Sequence, residues 1–222
     1  MRIPIVVFAF CMMHAVVLKA QPSLSLASGF STDINGSNTN EKFKHVPFVA
    51  EFQLPTGRKG SGILFTLQYY IPLAAWYTAN AYTLNPSLPP HIPLQESIQP
   101  YIFTASIGFR IPLVTFSNKS RLFIDLFPFC LSNQNTHVKY PQYDKTNYDI
   151  ENPDYAFNAT GLSVSASITH RQPFKKNGGG FVAALSVQSP PATKQNAYAN
   201  NYKLVTPLQL TVGYYFNFKK SK

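Results

Sequence analysis

The sequence predicts an all-β protein, an eight-stranded antiparallel up-and-down transmembrane β-barrel. Three observations predict it. Apolar and polar residues alternate with a period of two along eight segments. The connections between those segments are long and short in strict alternation. The bulky residues gather on one face of each segment and the small or polar ones on the other. An eight-stranded barrel has a narrow interior, so the small face fits inside and rows of phenylalanine and tyrosine fit outside. Composition agrees: Tyr (13) and Phe (18) are plentiful, while charged residues are only 13% of the chain, which suits strands better than helices.

The first twenty residues differ in kind. Arg2 supplies a positive start, "IPIVVFAFCMMHAVVL" an apolar run, and "KAQ" a cleavage point after Ala20. This pattern reads as a secretory signal peptide over 1–20, followed by a barrel domain over 21–222. The run is shorter than the ~20 residues of a spanning helix. Cys11 lies between phenylalanine and methionine, so no lipid anchor is expected. Beyond the signal, Cys130 is the only cysteine, which excludes an internal disulfide. No later segment is apolar for long enough to span as a helix, so any crossing has to be made by strands.

The predicted strands are 22–34, 44–55, 62–74, 98–113, 121–132, 157–172, 180–189 and 204–218. Most reach the ~9–11 residues that a tilted membrane strand needs. Pro100, Pro112, Pro128 and Pro207 fall inside them, and bulges or strand ends are expected there. The long connections are 35–43, 75–97, 133–156 and 190–203, all at one end of an up-and-down sheet. The short ones, 56–61, 114–120 and 173–179, share the other end. A soluble lipocalin-like barrel also has eight strands, but it has no physical reason to sort its loops this way.

In the last segment the even positions Leu208, Leu210, Val212, Tyr214, Phe216 and Phe218 form the lipid side. Gln209, Thr211, Gly213 and Tyr215 form the inner side. The same division puts Glu51, Arg110, Asp125 and Arg171 inside. Two acids and two bases in a narrow bore demand pairing and hydrogen bonds, so a lumenal ion-pair network is expected. Tyr70, Tyr215, Gln53, Gln68 and Gln209 should help fill the bore. A selective pore lining is the alternative.

The short-turn end is basic throughout. Arg58, Lys59, Lys119, Arg121, Lys175 and Lys176 lie in or beside the turns, and the tail adds Lys219, Lys220 and Lys222, with no acid among them. Removing Arg2 and Lys19 with the signal takes the net charge from +10 to +8. Such a ring attracts anionic head groups by roughly 1 kcal/mol per residue. Nucleic acid is not an expected partner, because no recognition module accompanies the charge.

These features together resemble the small outer-membrane barrels of Gram-negative bacteria, the OmpA/OmpX-like group. The ending adds a motif, since barrels of that class close on a polar-x-Gly-x-x-aromatic-x-aromatic signal read by the barrel-insertion machinery. Thr211, Gly213, Phe216 and Phe218 match it. The extra "KKSK" and a cut before Gln21 resemble Bacteroidetes outer-membrane β-barrel domains of the PorT-like kind. The resemblance implies the cell outer membrane as location, with outer-membrane lipid and the insertion machinery as partners.

Catalytic chemistry finds little support. The sequence has no GxSxG, P-loop or GxGxxG motif. His45, His91, His137 and His170 show no metal-ligand spacing. Ser167 and His170 are three apart and point to opposite faces of a strand, which a serine–histidine deacylase could not use. "YDKTNYDIENPD" hints at calcium but lacks the spacing of an EF-hand loop. No enzyme activity, cofactor or metal is therefore expected. The long loops are the expected functional surface: their tyrosines and asparagines suit contacts with extracellular protein or glycan. The leading expectation is a non-enzymatic envelope or binding barrel. The alternatives are a narrow porin-like pore or secretion-assembly component, a lipid-modifying enzyme, and a soluble carrier.

Overall fold

The computed structural model describes residues 21–33, 43–56, 60–73, 75–140, 143–150, 156–174, 178–189 and 207–218. The expected signal peptide lies outside them. Among the described residues ten strands follow in chain order: β1 (Ser23–Asp33), β2 (Lys44–Pro55), β3 (Gly62–Pro72), β4 (Ala75–Thr83), β5 (His91–Thr115), β6 (Arg121–Lys139), β7 (Tyr148–Asp149), β8 (Ala156–Pro173), β9 (Gly179–Gln188) and β10 (Pro207–Asn217). Eight of them close a ring in the order β3-β2-β1-β10-β9-β8-β6-β5, with β5 returning to β3. All the pairings are antiparallel. The first and last strands form the seam, from Ser23 opposite Asn217 to Asp33 opposite Pro207. The ring leaves no free edge, the condition for strands to cross lipid.

The two faces are inverted relative to a soluble barrel. Arg110 is 1% exposed and Asp125 0%, whereas Val212 is 61% and Phe129 66% exposed. Serine, threonine and glutamine fill most of the remaining buried polar positions. Near the short-turn end, Phe174, Phe181 and Tyr214 cluster edge-on or tilted with ring centroids 4.8–6.4 Å apart. Phe52 meets Phe218 at 6.5 Å, and Phe116 meets His170 at 6.5 Å. Such a belt of exposed rings suits a membrane–water interface.

The prolines mark irregularities. The register shifts once between Pro112 and Val114 and once at Pro128, between Phe127 and Cys130. Pro207 starts a strand. Pro100 lies where β5 exchanges one neighbour for another, since β4 pairs with it up to Ile98 and β3 pairs from Ile102. A residue without an N–H fits that gap.

The bulge at Pro128 has a larger consequence. Below it, Phe123, Asp125 and Phe127 point inward, at odd positions. Above it Cys130, Ser132, Gln134, Thr136 and Val138 point inward, at even positions. Strict alternation along β6 would turn one half of that strand inside out. Two residues opposite one reset the faces. Gly108 makes the bulge possible, because a Cβ there would sit 2.4 Å from the Leu126 carbonyl oxygen and 2.5 Å from the Phe127 ring.

One expectation is corrected. Residues 75–97 are not an irregular loop, and neither is the start of 133–156. β4 pairs with the first eight residues of β5, from Ala75 opposite Ile98 to Tyr82 opposite His91. β6 continues to Lys139, opposite Ser97, and β7 adds a two-residue bridge to β4. These strands rise past the barrel as a lobe with its own core of Ala81, Leu94, Tyr148 and Ile150. The prolines that hid this hairpin include Pro86, Pro89 and Pro90, which sit in its turn, outside the ladder.

Gly108→Val should cost about 1–3 kcal/mol of folding free energy, the usual scale for overpacking. Urea titration in lipid vesicles, with the folded band on unheated gels as readout, measures it. Loss of less than ~0.5 kcal/mol would mean that the bulge does not need a glycine.

Candidate functional site

The bore is built from the inward positions of neighbouring strands. Near the short-turn end, β5 supplies Arg110 and β6 supplies Asp125, directly opposite in the register. Arg110 donates from Nε to Asp125 Oδ1 (2.7 Å) and from Nη2 to Asp125 Oδ2 (2.6 Å), a bidentate pair. It also reaches Glu51 (3.0 Å) and Gln53 Oε1 (3.0 Å) on β2. Arg171 on β8 donates to Glu51 Oε1 (2.9 Å), Gln53 Oε1 (2.9 Å), Ser25 Oγ (2.9 Å) and Ser23 Oγ (3.2 Å). Thr169 Oγ1 donates to Asp125 Oδ2 at 2.6 Å. Aromatic rings cover both guanidinium groups: Phe123 lies 5.1 Å from Arg110 and Tyr215 4.7 Å from Arg171.

Two acids, two bases and a shell of hydroxyls and amides thus meet in one cluster drawn from several strands. Ser23, Ser25 and Thr169 were not singled out in the sequence. Their signal was inward parity on strands already assigned. The named fillers Tyr70, Tyr215, Gln53, Gln68 and Gln209 are all buried. Above the cluster Leu64, Phe127 and Cys130 form a small apolar layer. Gln188 Nε2 then donates to Ser132 Oγ (2.6 Å) and Ser163 Oγ (2.8 Å). At the loop end, Phe43, Tyr70, Ile98, Ile102 and Val138 pack together across the bore, with Tyr140 against them. Tyr70 OH donates to Gln68, and Tyr140 OH to Glu96 Oε2 at 2.9 Å.

The other sequence-predicted residues lie elsewhere. Thr211 faces inward, and Phe216 and Phe218 face outward at 53% and 48% exposure. Gly213 sits at the seam opposite Ala27, where a Cβ would lie 2.0 Å from the Leu26 carbonyl oxygen. Its absence of a side chain is thus demanded by strand approach. Lys119 and Arg121 are exposed at the short-turn end. Arg58, Lys59, Lys175, Lys176, Lys219 and Lys220 lie outside the described residues. Ser167 Oγ donates to Asp125 Oδ2 (3.4 Å) inside the bore, while His170 meets Phe116 edge-on. The two are not brought together.

Among the described residues no group of three or more His, Cys, Asp or Glu could hold a metal ion. In the lobe, Asp144 accepts from Asn147 Nδ2 (2.7 Å) and from the Thr146 amide (3.0 Å). These bonds, the Asn147 side-chain amide foremost, hold its carboxyl below the ordinary carboxylate range. One outward feature went unread in the sequence. Gln99, Tyr101, Asn133, Asn135, His137 and Lys139 line an open groove of about 450 Å³ on the outer wall of β5 and β6.

No protein-family model matches the chain, and no curated protein matches it. Solved structures do. Neisserial surface protein A, NspA, aligns over 89% of this chain and 97% of its own, at 11% identity and a TM-score of 0.53. A major outer membrane protein from Thermus thermophilus covers 89% and 99%, at 10% identity and 0.52. Ail, the attachment invasion locus protein of Yersinia pestis, in complex with the heparin analogue sucrose octasulfate, covers 88% and 99%, at 13% identity and 0.50. These are small outer-membrane β-barrel proteins. The likeness, at such identities, is one of fold: the chain has the architecture of an eight-stranded outer-membrane barrel.

Replacing Arg110 by methionine strands Asp125 in the bore and should cost about 3–5 kcal/mol. Replacing Arg110 and Asp125 together, by methionine and leucine, leaves the Glu51–Arg171 pair balanced. The double variant should recover at least ~2 kcal/mol of that loss in urea titrations. Equal losses for both variants would mean that the stranded Asp125 carboxylate is not what destabilises the single variant.

Proposed function

We propose that the chain is an integral outer-membrane barrel of a Gram-negative bacterium, non-enzymatic, with a filled bore, that serves the envelope by presenting its loop-end lobe to extracellular protein or glycan. The observation that carries this reading is the inverted barrel, with Arg110 and Asp125 buried while phenylalanine, leucine and valine face outward all round. Water would not tolerate that outer face over so wide an area, and lipid requires it. The lobe supports a binding role, since Trp76, Tyr82 and Leu84 are 46–61% exposed on it. Separation of Ser167 from His170 supports the non-enzymatic reading. The lysine-rich tail and Gln21 support a Bacteroidetes-type, PorT-like member.

Thr211, Gly213, Phe216 and Phe218 serve in this reading as the address for the insertion machinery, and the basic turn end faces the periplasm with its anionic lipid. Phe218→Ala should then lower the assembled fraction in cells several-fold while refolding into detergent at the wild-type yield. Equal defects in both settings would assign Phe218 to stability alone.

Two measurements test the main reading. The protein should fractionate with outer membranes, require detergent for extraction, and migrate differently before and after heating. Recovery from the soluble periplasm without detergent would defeat it. A narrow pore is the second reading, favoured by buried polar atoms along the bore without protein partners, Thr66 Oγ1, Ser186 Oγ and Gln209 Oε1 among them. Planar bilayers should record no stable conductance steps if the bore is closed, and reproducible steps if it is a pore.

A further inference from the structure

We propose that the groove on the outer wall of β5 and β6 is a binding site for the phosphorylated sugar head group of an outer-leaflet lipid. The inference rests on the membrane reading above and adds a specific lipid contact to it.

The first observation is a step in side-chain character at one height on three adjacent strands. Along the outer column of β8, Val164 and Leu162 are followed by Thr160 and Asn158. On β6, Phe129 and Leu131 are followed by Asn133, Asn135, His137 and Lys139. On β5, Ile107, Ala105 and Phe103 are followed by Tyr101 and Gln99. The register aligns these steps, since Leu131 is opposite Leu162, and Asn133 is opposite both Thr160 and Phe103. Hydrocarbon contact therefore ends at that rung. The strands run on for several more residues with polar groups facing sideways, at the level where head groups begin.

The second observation is the chemistry of the groove. Lys139 brings positive charge, His137 an N–H donor, Tyr101 a hydroxyl and a flat ring, and Asn133 and Asn135 amides. Among the described residues no carboxylate lines it. Lysine recognises phosphate as a point charge, and tyrosine with asparagine suits sugar hydroxyls. The groups are fixed before any ligand arrives: the His137 ring stands edge-on to Tyr101 at 5.9 Å, and Asn133 Nδ2 donates to Thr160 Oγ1 at 2.7 Å. The third observation is Asn135 Oδ1, a buried acceptor with no protein partner. Rotation of the Asn135 side chain into the groove would turn that oxygen to a sugar hydroxyl, at no cost in hydrogen bonds to the protein. Directly below, Phe103, Leu131 and Leu162 are 45–59% exposed and continue the path for acyl chains. A soluble sugar would use the groove and waste that path, whereas a lipid uses both.

The test refolds the full chain into phosphatidylcholine nanodiscs containing a small fraction of bisphosphorylated lipid A. After transfer into detergent, mass spectrometry counts lipid A retained per barrel. The wild type should retain lipid A over phosphatidylcholine. Lys139→Gln should reduce retention about fivefold, and Asn135→Ala should reduce it with no change of charge. Lys44→Gln removes the same charge from an exposed position outside the groove, on β2 two strands from β5, and should leave retention unchanged. Gel shift on heating verifies that each variant is folded. Absence of preference in the wild type, or an equal loss in Lys44→Gln, would overturn the site. Stable folding of the wild type in phosphatidylcholine alone upholds the membrane barrel whichever way the lipid A comparison falls.

Discussion

The width of the bore governs this molecule. Eight strands closed on themselves leave an interior that side chains alone can fill. Bulky rows cannot enter it, so they face outward, and the outward face becomes apolar. The inner face then has to be small or hydrogen-bonded, and serine, threonine and glutamine occupy it. The four buried charges obey the same constraint. Each guanidinium lies against an aromatic ring and reaches carboxylates, amides or hydroxyls on neighbouring strands. A larger barrel could hydrate such groups. This one has to pair them.

The charge cluster contributes to uniqueness more than to stability. Buried ion pairs recover their desolvation cost with difficulty. What they do well is penalise error. A one-residue slip of β5 against β6 would turn Arg110 towards lipid and bring a phenylalanine or isoleucine into the bore. Charge in hydrocarbon is expensive on any scale. Arg110 with Asp125, and Arg171 with Glu51, therefore fix the register of β2, β5, β6 and β8 near the end where the turns are short. Gly108 and the bulge at Pro128 complete the arrangement, since without them Asp125 and Ser132 could not both face inward on one strand.

Much of this was legible in the residues. Alternation in β10 and β8, and the long-short sorting of loops, are local and survive without tertiary knowledge. The faces of Glu51, Arg110, Asp125 and Arg171 followed from parity. The lobe was not legible, because prolines in and beside its turn broke the period-two signal, and β7 and the end of β6 join its hairpin from far along the chain. The groove escaped for a related reason. Asn133, Asn135, His137 and Lys139 look like a polar loop in one dimension. They become a wall only when β5 and β8 lie on either side.

The uneven height of the barrel ties these parts together. β5, with 25 residues, and β6, with 19, far exceed β1 and β10, with 11 each. The excess rises on one side only, and it carries both the lobe and the polar step. The same two strands hold Arg110 and Asp125 at their other ends. A β-strand transmits register along its whole length, because every rung is bonded to the next strand. Fixing one end by a bidentate pair therefore fixes which residues leave the hydrocarbon at the other. Any shift of the ion cluster by one rung would move Asn133 and Lys139 relative to the apolar boundary. On this account the buried network and the exposed wall are two ends of a single constraint, and the outer surface inherits its geometry from the charges at the base.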